Sequence, residues 1–166
     1  MNTLSLAFSE AIAMVVTLDP KLGEIVLLSL RVSVSSVALA GVFALPVGAA
    51  VAVAAFPGKR GVVTTLNALL GLPAVVVGLA VYLLLSRSGP LGSLGILFTP
   101  KAMVVAQTML VLPVVAALTR QLIADAWRGN GEQLRSMGAG VLASAALLLL
   151  HERLALVTVG LTAFGR

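Results

Sequence analysis

The sequence is poor in the residues that covalent frameworks and active sites require. It has no cysteine, a single histidine, and charged side chains at only 10% of its 166 positions. Without cysteine there can be no disulfide, no thiolate metal ligand and no lipidated thiol. His151 has only Glu152 beside it, and consecutive residues of a helix do not face each other. We therefore predict no catalytic residue and no metal site.

Sequence motifs for nucleotide binding are also missing. The phosphate-binding pattern Gly-x-x-x-x-Gly-Lys-Ser/Thr does not occur anywhere in the chain. That pattern supplies the backbone amides and the lysine that hold the phosphates of ATP. We therefore expect no ATP site and no cofactor in this chain.

Apolar residues, by contrast, are in large excess. Hydrophobic residues make up 60% of the chain, and the mean hydropathy is +1.12. A soluble domain has roughly a quarter of its residues charged, and a domain of this size leaves much of its surface in water. The excess therefore needs a lipid bilayer as its solvent. The net charge of +5 comes from basic residues that flank apolar runs, as in membrane proteins, so we predict no nucleic-acid partner.

The distribution of charge divides the chain into membrane and aqueous segments. A spanning helix needs about 20 predominantly apolar residues, and the final apolar run, 154–165, is too short to cross. We therefore expect a chain that is truncated at its C-terminus. The predicted segments of this single domain are an N-terminal amphipathic segment (1–23), transmembrane helices (about 24–57, 62–86 and 101–119), a polar region (120–150) and the start of an incomplete further helix (154–166).

The basic residues of the short loops predict the orientation. Loops on the cytoplasmic side of a membrane carry more lysine and arginine than those outside. One side would hold Lys59, Arg60, Arg120, Arg128, Arg135 and Arg153, and the other Lys21, Arg87 and Lys101. We therefore expect the 57–61 turn and the 120–153 region in the cytoplasm.

Small side chains recur at every fourth position of the first span. They are Ser36, Ala40, Ala44, Gly48 and Ala52. A ridge of small residues lets a second helix approach closely in lipid. Ordinary helix packing is the interpretation that we favour for it.

The polar region contains a pattern that resembles the coupling loop of ABC importer permeases. That loop reads Glu-Ala-Ala, three residues, Gly, nine residues, Ile, one residue, Leu-Pro. Glu132, Gly138 and Leu150 match the pattern, whereas Leu148 replaces the Ile and His151 the Pro. A coupling helix needs a tightly packed glycine and a charged rim, and the alternative is a solvated loop between two spans. The residues that the resemblance implies for ATPase coupling are Glu132, Gln133, Gly138, Ala139, Leu148 and Leu150.

The preceding segments resemble tungstate-importer permeases more specifically. The stretch 66–92, which contains Gly71-Leu72-Pro73, is similar to the second helix and following loop of that family. The segments 29–33, 97–100, 106–108 and 112–113 are similar to other parts of it. The resemblance implies an all-α membrane bundle with the type I ABC importer permease (MetI-like) fold. It also implies a homodimer in the inner (plasma) membrane, an ABC ATPase subunit that binds ATP and magnesium, and a periplasmic substrate-binding protein. The cargo would be tungstate or molybdate.

Polar groups within the predicted spans are candidates for the translocation path. Asn67 and Gln107 would be costly in lipid, so they should face the bundle interior. The functional interpretation is an oxyanion path formed by both side chains, with backbone amides near Gly71 and Pro73. The alternative is interhelical hydrogen bonding, worth roughly 0.6–2 kcal/mol. We favour that alternative for Gln107 and leave the two interpretations even for Asn67.

Two other functional classes remain open. A non-transporting scaffold or remnant fits the short final run and the degenerate coupling pattern. A secondary transporter would need internal repeats or ionisable groups in mid-membrane, and the sequence contains neither.

Overall fold

The chain consists of helices joined by turns and irregular segments over the residues that its structure describes. The structure is a computed structural model, and it describes Ala7 and residues 20–165. Within that part there is no strand, which confirms the all-α prediction, and most of the predicted amphipathic segment 1–23 lies outside it. The helices are α1 (Pro20–Val53), α2 (Lys59–Leu69), α3 (Ala74–Leu85), a short 3-10 turn (Gly92–Leu94), α4 (Pro100–Ser136), α5 (Val141–His151) and α6 (Arg153–Phe164).

The two long helices, α1 and α4, run parallel to each other and form the centre of the bundle. In the first half of each helix, the Gln107 amide nitrogen donates to the Ser33 hydroxyl at 3.2 Å. Further along, Gly48 faces Thr119, and Ile123 is buried among the last residues of α1. Later residues of α1 therefore contact later residues of α4. Helices α2 and α3 connect the end of α1 to the start of α4, at the opposite end of the bundle.

The ridge of small residues forms the contact between α1 and α4. All five of its members are buried, and the Ser36 hydroxyl donates to the Val104 carbonyl oxygen of α4 at 3.3 Å. At Gly48 the helices are so close that a Cβ atom would lie 2.6 Å from the Ala116 carbonyl oxygen. The predicted helix packing is therefore confirmed. In lipid, such close backbone approach is what makes van der Waals packing favourable.

The predicted transmembrane helix 62–86 is broken in the structure. Helices α2 and α3 meet at 98° across a break at residues 70–73. Pro73 has an extended conformation (φ −65°, ψ 133°) and has no N–H to continue a helix. It also disfavours the α conformation at the residue before it. The single helix expected here is therefore two short helices, which form a bent span or a re-entrant segment.

A second bend separates α5 from α6. They meet at 79° around Glu152, where the apolar pattern is interrupted. Leu148 of α5 packs near the end of α1, whereas Val159 and Ala163 of α6 pack beside Ala40 in its middle. Helix α6 therefore runs back along the bundle. The two long helices meet the length and hydropathy of membrane spans, and there are up to four spans if each bent pair counts as one.

The length of α4 places its charged end outside the bilayer. Its 37 residues correspond to about 55 Å, whereas the hydrocarbon core is about 30 Å thick. The charges of α4 beyond Lys101 are confined to its second half, and Asp125, Arg128, Glu132 and Arg135 lie in its last turns. Many large apolar side chains elsewhere in the bundle are exposed, among them Val75, Leu142 and Leu154. This surface suits lipid, and the last turns of α4 suit water.

Candidate functional site

The predicted coupling residues lie where α4 ends and turns into α5. Glu132 and Gln133 are exposed on the last turns of α4. Gly138 then adopts a left-handed conformation (φ 74°), which favours glycine. The Gly138 N–H donates to the Arg135 carbonyl at 2.9 Å, and the Ala139 N–H donates to that of Leu134 at 3.0 Å. These two bonds form a Schellman motif, which satisfies carbonyls at the end of α4.

The backbone gives a reason for a glycine at position 138. A Cβ atom at Gly138 would meet nothing within 4 Å, so the glycine is not needed for packing within the chain. Tight packing against a docked partner stays a prediction. The backbone requires glycine there because other residues pay about 1–2 kcal/mol in the left-handed region. The exposed turn also leaves space for a partner to approach.

The two leucines of the pattern have different environments. Leu148 is 3% exposed and packs in a cluster with Ala52 and Ile123, so it ties α5 to both long helices. Leu150 is 69% exposed. Between α5 and the end of α4 lies a cavity of about 330 Å³ that Gln133 and Leu148 both line. The structure thus brings these two predicted residues together and leaves Leu150 on the surface.

An exposed methionine at the tip of this region was not predicted. Met137 is 74% exposed and follows the last residue of α4. Its side chain also lines the 330 Å³ cavity, beside Gln133 and His151. Together with the charges on the last turns of α4, it gives the tip an apolar knob with a charged rim. Such a surface can dock on another protein and carries no chemistry of its own.

The candidate path residues fall into two groups. Gln107 is half-buried on α4 and bonds to Ser33 of α1, which is the interhelical hydrogen bond that we favoured for it. Asn67, Gly71 and Pro73 lie at the bend between α2 and α3 and are exposed in the single chain. The structure therefore separates Gln107, which stabilises the bundle, from the three residues at the bend.

The backbone amides of Gly71 and Leu72 already have partners within the chain. The N–H of Gly71 donates to the Ala68 carbonyl at 3.1 Å, and that of Leu72 donates to the Leu69 carbonyl at 3.2 Å. Pro73 has no N–H. The Val76 N–H donates to the Pro73 carbonyl at 3.0 Å. An anion at this bend would therefore have to use the N–H groups of Ala74 and Val75, because the first N–H groups of a helix have no partner within it.

Basic residues from two distant segments meet at the same end of the bundle. The Lys59 ammonium donates to the carbonyl oxygens of Ala52 and Ala54, each at 2.8 Å, and so closes the end of α1. The Arg135 guanidinium lies 5.2 Å from the ring centroid of Trp127, within cation–π range. A cavity of about 550 Å³ joins the two segments. The 57–61 turn and the end of α4 are therefore neighbours, as the orientation by basic residues requires.

Comparison with known proteins identifies the family. No protein-family model matches the chain. It is 40% identical, over 86% of its length, to a probable anion ABC transporter permease protein of Haloferax volcanii. It is 33% identical, over its whole length, to the tungstate uptake system permease protein TupB of Peptoclostridium acidaminophilum, and 36% identical, over 65% of its length, to TupB of Campylobacter jejuni.

The similarity covers a large part of these relatives but not all of them. The chain spans 62% of the Haloferax protein, 73% of the Peptoclostridium protein and 45% of the Campylobacter protein. The names of these relatives agree with the helical, apolar architecture. The chain belongs to the family of ABC transporter permease proteins that includes these anion and tungstate permeases.

Proposed function

We infer that the chain is the membrane-spanning subunit of an ATP-driven importer for tungstate or a similar oxyanion. It would lie in the inner membrane as a multi-pass protein, with the 120–153 region in the cytoplasm. A separate ABC ATPase would bind ATP and magnesium, and a periplasmic binding protein would deliver the anion. The names of the relatives support the cargo class. The observation that carries the inference is the exposed tip at residues 132–138, which extends beyond the apolar bundle beside the basic 57–61 turn.

The packing of this tip suits the transmission of force into the membrane. Helix α4 is continuous from Pro100 to Ser136, so a push on its end acts along its whole length. Leu148 fixes α5 against both α1 and α4. Movement of the tip would therefore shift the central helix pair as one body. In a homodimer of the type I fold, such a shift would open or close a path between the two copies.

The α2–α3 bend is the place where we propose that the path begins. Asn67, Gly71 and Pro73 are exposed there, and neither α2 nor α3 contains an acidic residue that would repel an anion. The side-chain amide of Asn67 can donate to an oxyanion. A second copy of the chain would complete the lining, and the binding protein would decide which anion enters.

A charge placed at Gly138 tests the coupling role. The tagged chain would be purified from its host in mild detergent, and the co-purified ATPase would be quantified by mass spectrometry. We expect Gly138→Glu to lose most of the ATPase while it still inserts into the membrane, because the glutamate carries charge and bulk into the docking surface.

Gly95 offers a matched control for this experiment. It also has a left-handed backbone (φ 60°), and a Cβ atom there would have nothing within 4 Å, but it precedes α4 at the opposite end of the bundle. Gly95→Glu introduces the same side chain and the same backbone strain, so it should keep the ATPase. Equal amounts of co-purified ATPase with both variants would contradict the proposed coupling site.

A further inference from the structure

We propose that the cavity between the α1–α2 turn and the end of α4 binds the phosphate headgroup of an anionic phospholipid. Its volume is about 550 Å³. Three of its lining residues are basic, namely Lys59, Arg60 and Arg135, and the lining contains no acidic residue. The proposal requires only that the chain is embedded in a membrane, and it does not depend on the transport function.

The basic side chains of this cavity have charge available for a ligand. The one ion pair among the described residues joins Arg128 to Asp125, neither of which lines the cavity. Arg135 contacts the ring of Trp127 but no carboxylate. Lys59 donates to two carbonyl oxygens at the end of α1, whose partial negative charge offsets part of its positive charge, and it pairs with no carboxylate. The cavity therefore concentrates three positive charges from segments far apart in the sequence.

Trp127 and Gly131 explain how Arg135 is held at the cavity. Residues 127, 131 and 135 follow each other at intervals of four and so lie on one face of α4. A Cβ atom at Gly131 would lie 3.0 Å from the indole Cδ2 atom, so the ring lies flat against a backbone that has no side chain. The ring in turn supports the guanidinium of Arg135. Tryptophan is also typical of the membrane–water interface.

The position and shape of the cavity favour a lipid. About 33 Å of helix separates Arg31 from Val53 on α1, close to the thickness of the hydrocarbon core, so the cavity lies at the headgroup level. One wall is apolar, from Ala52 to Phe56, and the other is basic. An anionic phospholipid has this same division between acyl chains and phosphate. Basic pockets between membrane helices on the cytoplasmic side are suited to such headgroups.

Native mass spectrometry of the intact chain can test this site. The chain would be released from nanodiscs of phosphatidylcholine that contain a minor fraction of phosphatidylglycerol, and the lipids retained would be counted. We expect wild type to retain phosphatidylglycerol selectively. The double variant Arg60→Gln, Arg135→Gln should bind it about 30-fold more weakly, since each basic residue contributes roughly fivefold near a membrane surface. Arg60→Gln alone should weaken binding about fivefold, and it removes no ion pair or cation–π contact between described residues.

The control removes the same charge from the same end of the bundle. Arg128→Gln, Arg153→Gln alters two exposed residues outside the cavity, and it should retain wild-type binding. Equal losses in both double variants would show diffuse attraction and overturn the site. Displacement of the lipid by tungstate or phosphate at low concentration would identify a free-oxyanion site instead. Loss of the retained lipid when the purified ATPase is added would identify a protein-docking surface, and it would also overturn the proposal.

Discussion

The closest approach of the two long helices makes Gly48→Ala the most informative perturbation of the fold. The new methyl group would lie 2.6 Å from the Ala116 carbonyl oxygen and 3.0 Å from the Thr119 Cβ atom. Both contacts are shorter than ordinary van der Waals separation, and the carbonyl belongs to the backbone of α4. The helices would therefore have to separate by roughly 0.5–1 Å. Such a gap removes about a quarter to a half of the van der Waals energy of each interfacial contact. We expect the free energy of unfolding to fall by about 1–3 kcal/mol, as is typical of overpacking.

Gly41→Ala is the matched control for this substitution. Gly41 lies on the same helix, where the nearest atom to a Cβ is the flexible end of Leu45 at 3.9 Å. Both substitutions raise helix propensity by the same amount, up to about 1 kcal/mol. The difference between the unfolding free energies of the two variants therefore reports the effect at the interface. The single tryptophan, Trp127, is half-buried near the end of the α1–α4 interface, and its fluorescence can report unfolding in a detergent titration. A Gly48→Ala variant as stable as Gly41→Ala would refute the close approach.

Two further predictions concern the bundle and its orientation. A double-mutant cycle of Gln107→Leu and Ser33→Ala can be measured by the same unfolding assay. The coupling energy should be about 0.6 kcal/mol and not above about 1.7 kcal/mol, because the pair shares one interhelical hydrogen bond. Strictly additive effects would mean that the bond is not formed. Since the chain has no cysteine, single Gly95→Cys and Gly138→Cys variants can be labelled with a membrane-impermeant maleimide. Gly95→Cys should react in intact cells and Gly138→Cys only after the inner membrane is opened, and the reverse pattern would invert the proposed orientation.

Features that depend on periodicity could be predicted from the sequence. The ridge from Ser36 to Ala52 repeats every four residues, so the buried face of α1 follows from the helical repeat alone. The interruption between α5 and α6 was predictable because His151, Glu152 and Arg153 stand together in an apolar stretch. The inward orientation of Gln107 followed from the cost of a polar amide in lipid.

Features that depend on chain direction and on contacts between distant segments could not be predicted. Composition is apolar on both sides of Pro73, so hydropathy gave no sign of the 98° bend. The left-handed backbone at Gly138 is a property of the turn, whereas the motif shows only that a glycine stands there. The basic cavity joins Arg60 to Arg135, and no periodic pattern links residues so far apart. Only the spacing of Trp127, Gly131 and Arg135 could have indicated a shared face.

The most direct test of the account is a site-specific crosslink from the exposed tip. A photoreactive maleimide would be attached to Met137→Cys, and irradiation would be carried out in native membranes. The same reagent on Phe98→Cys, which is 89% exposed just before α4 at the opposite end of the bundle, would serve as the control. We predict a light-dependent adduct between position 137 and an ATPase with a phosphate-binding Gly-Lys-Ser/Thr motif, and no such adduct from position 98. An ATPase adduct from position 98, or none from position 137 while the ATPase is present, would contradict it.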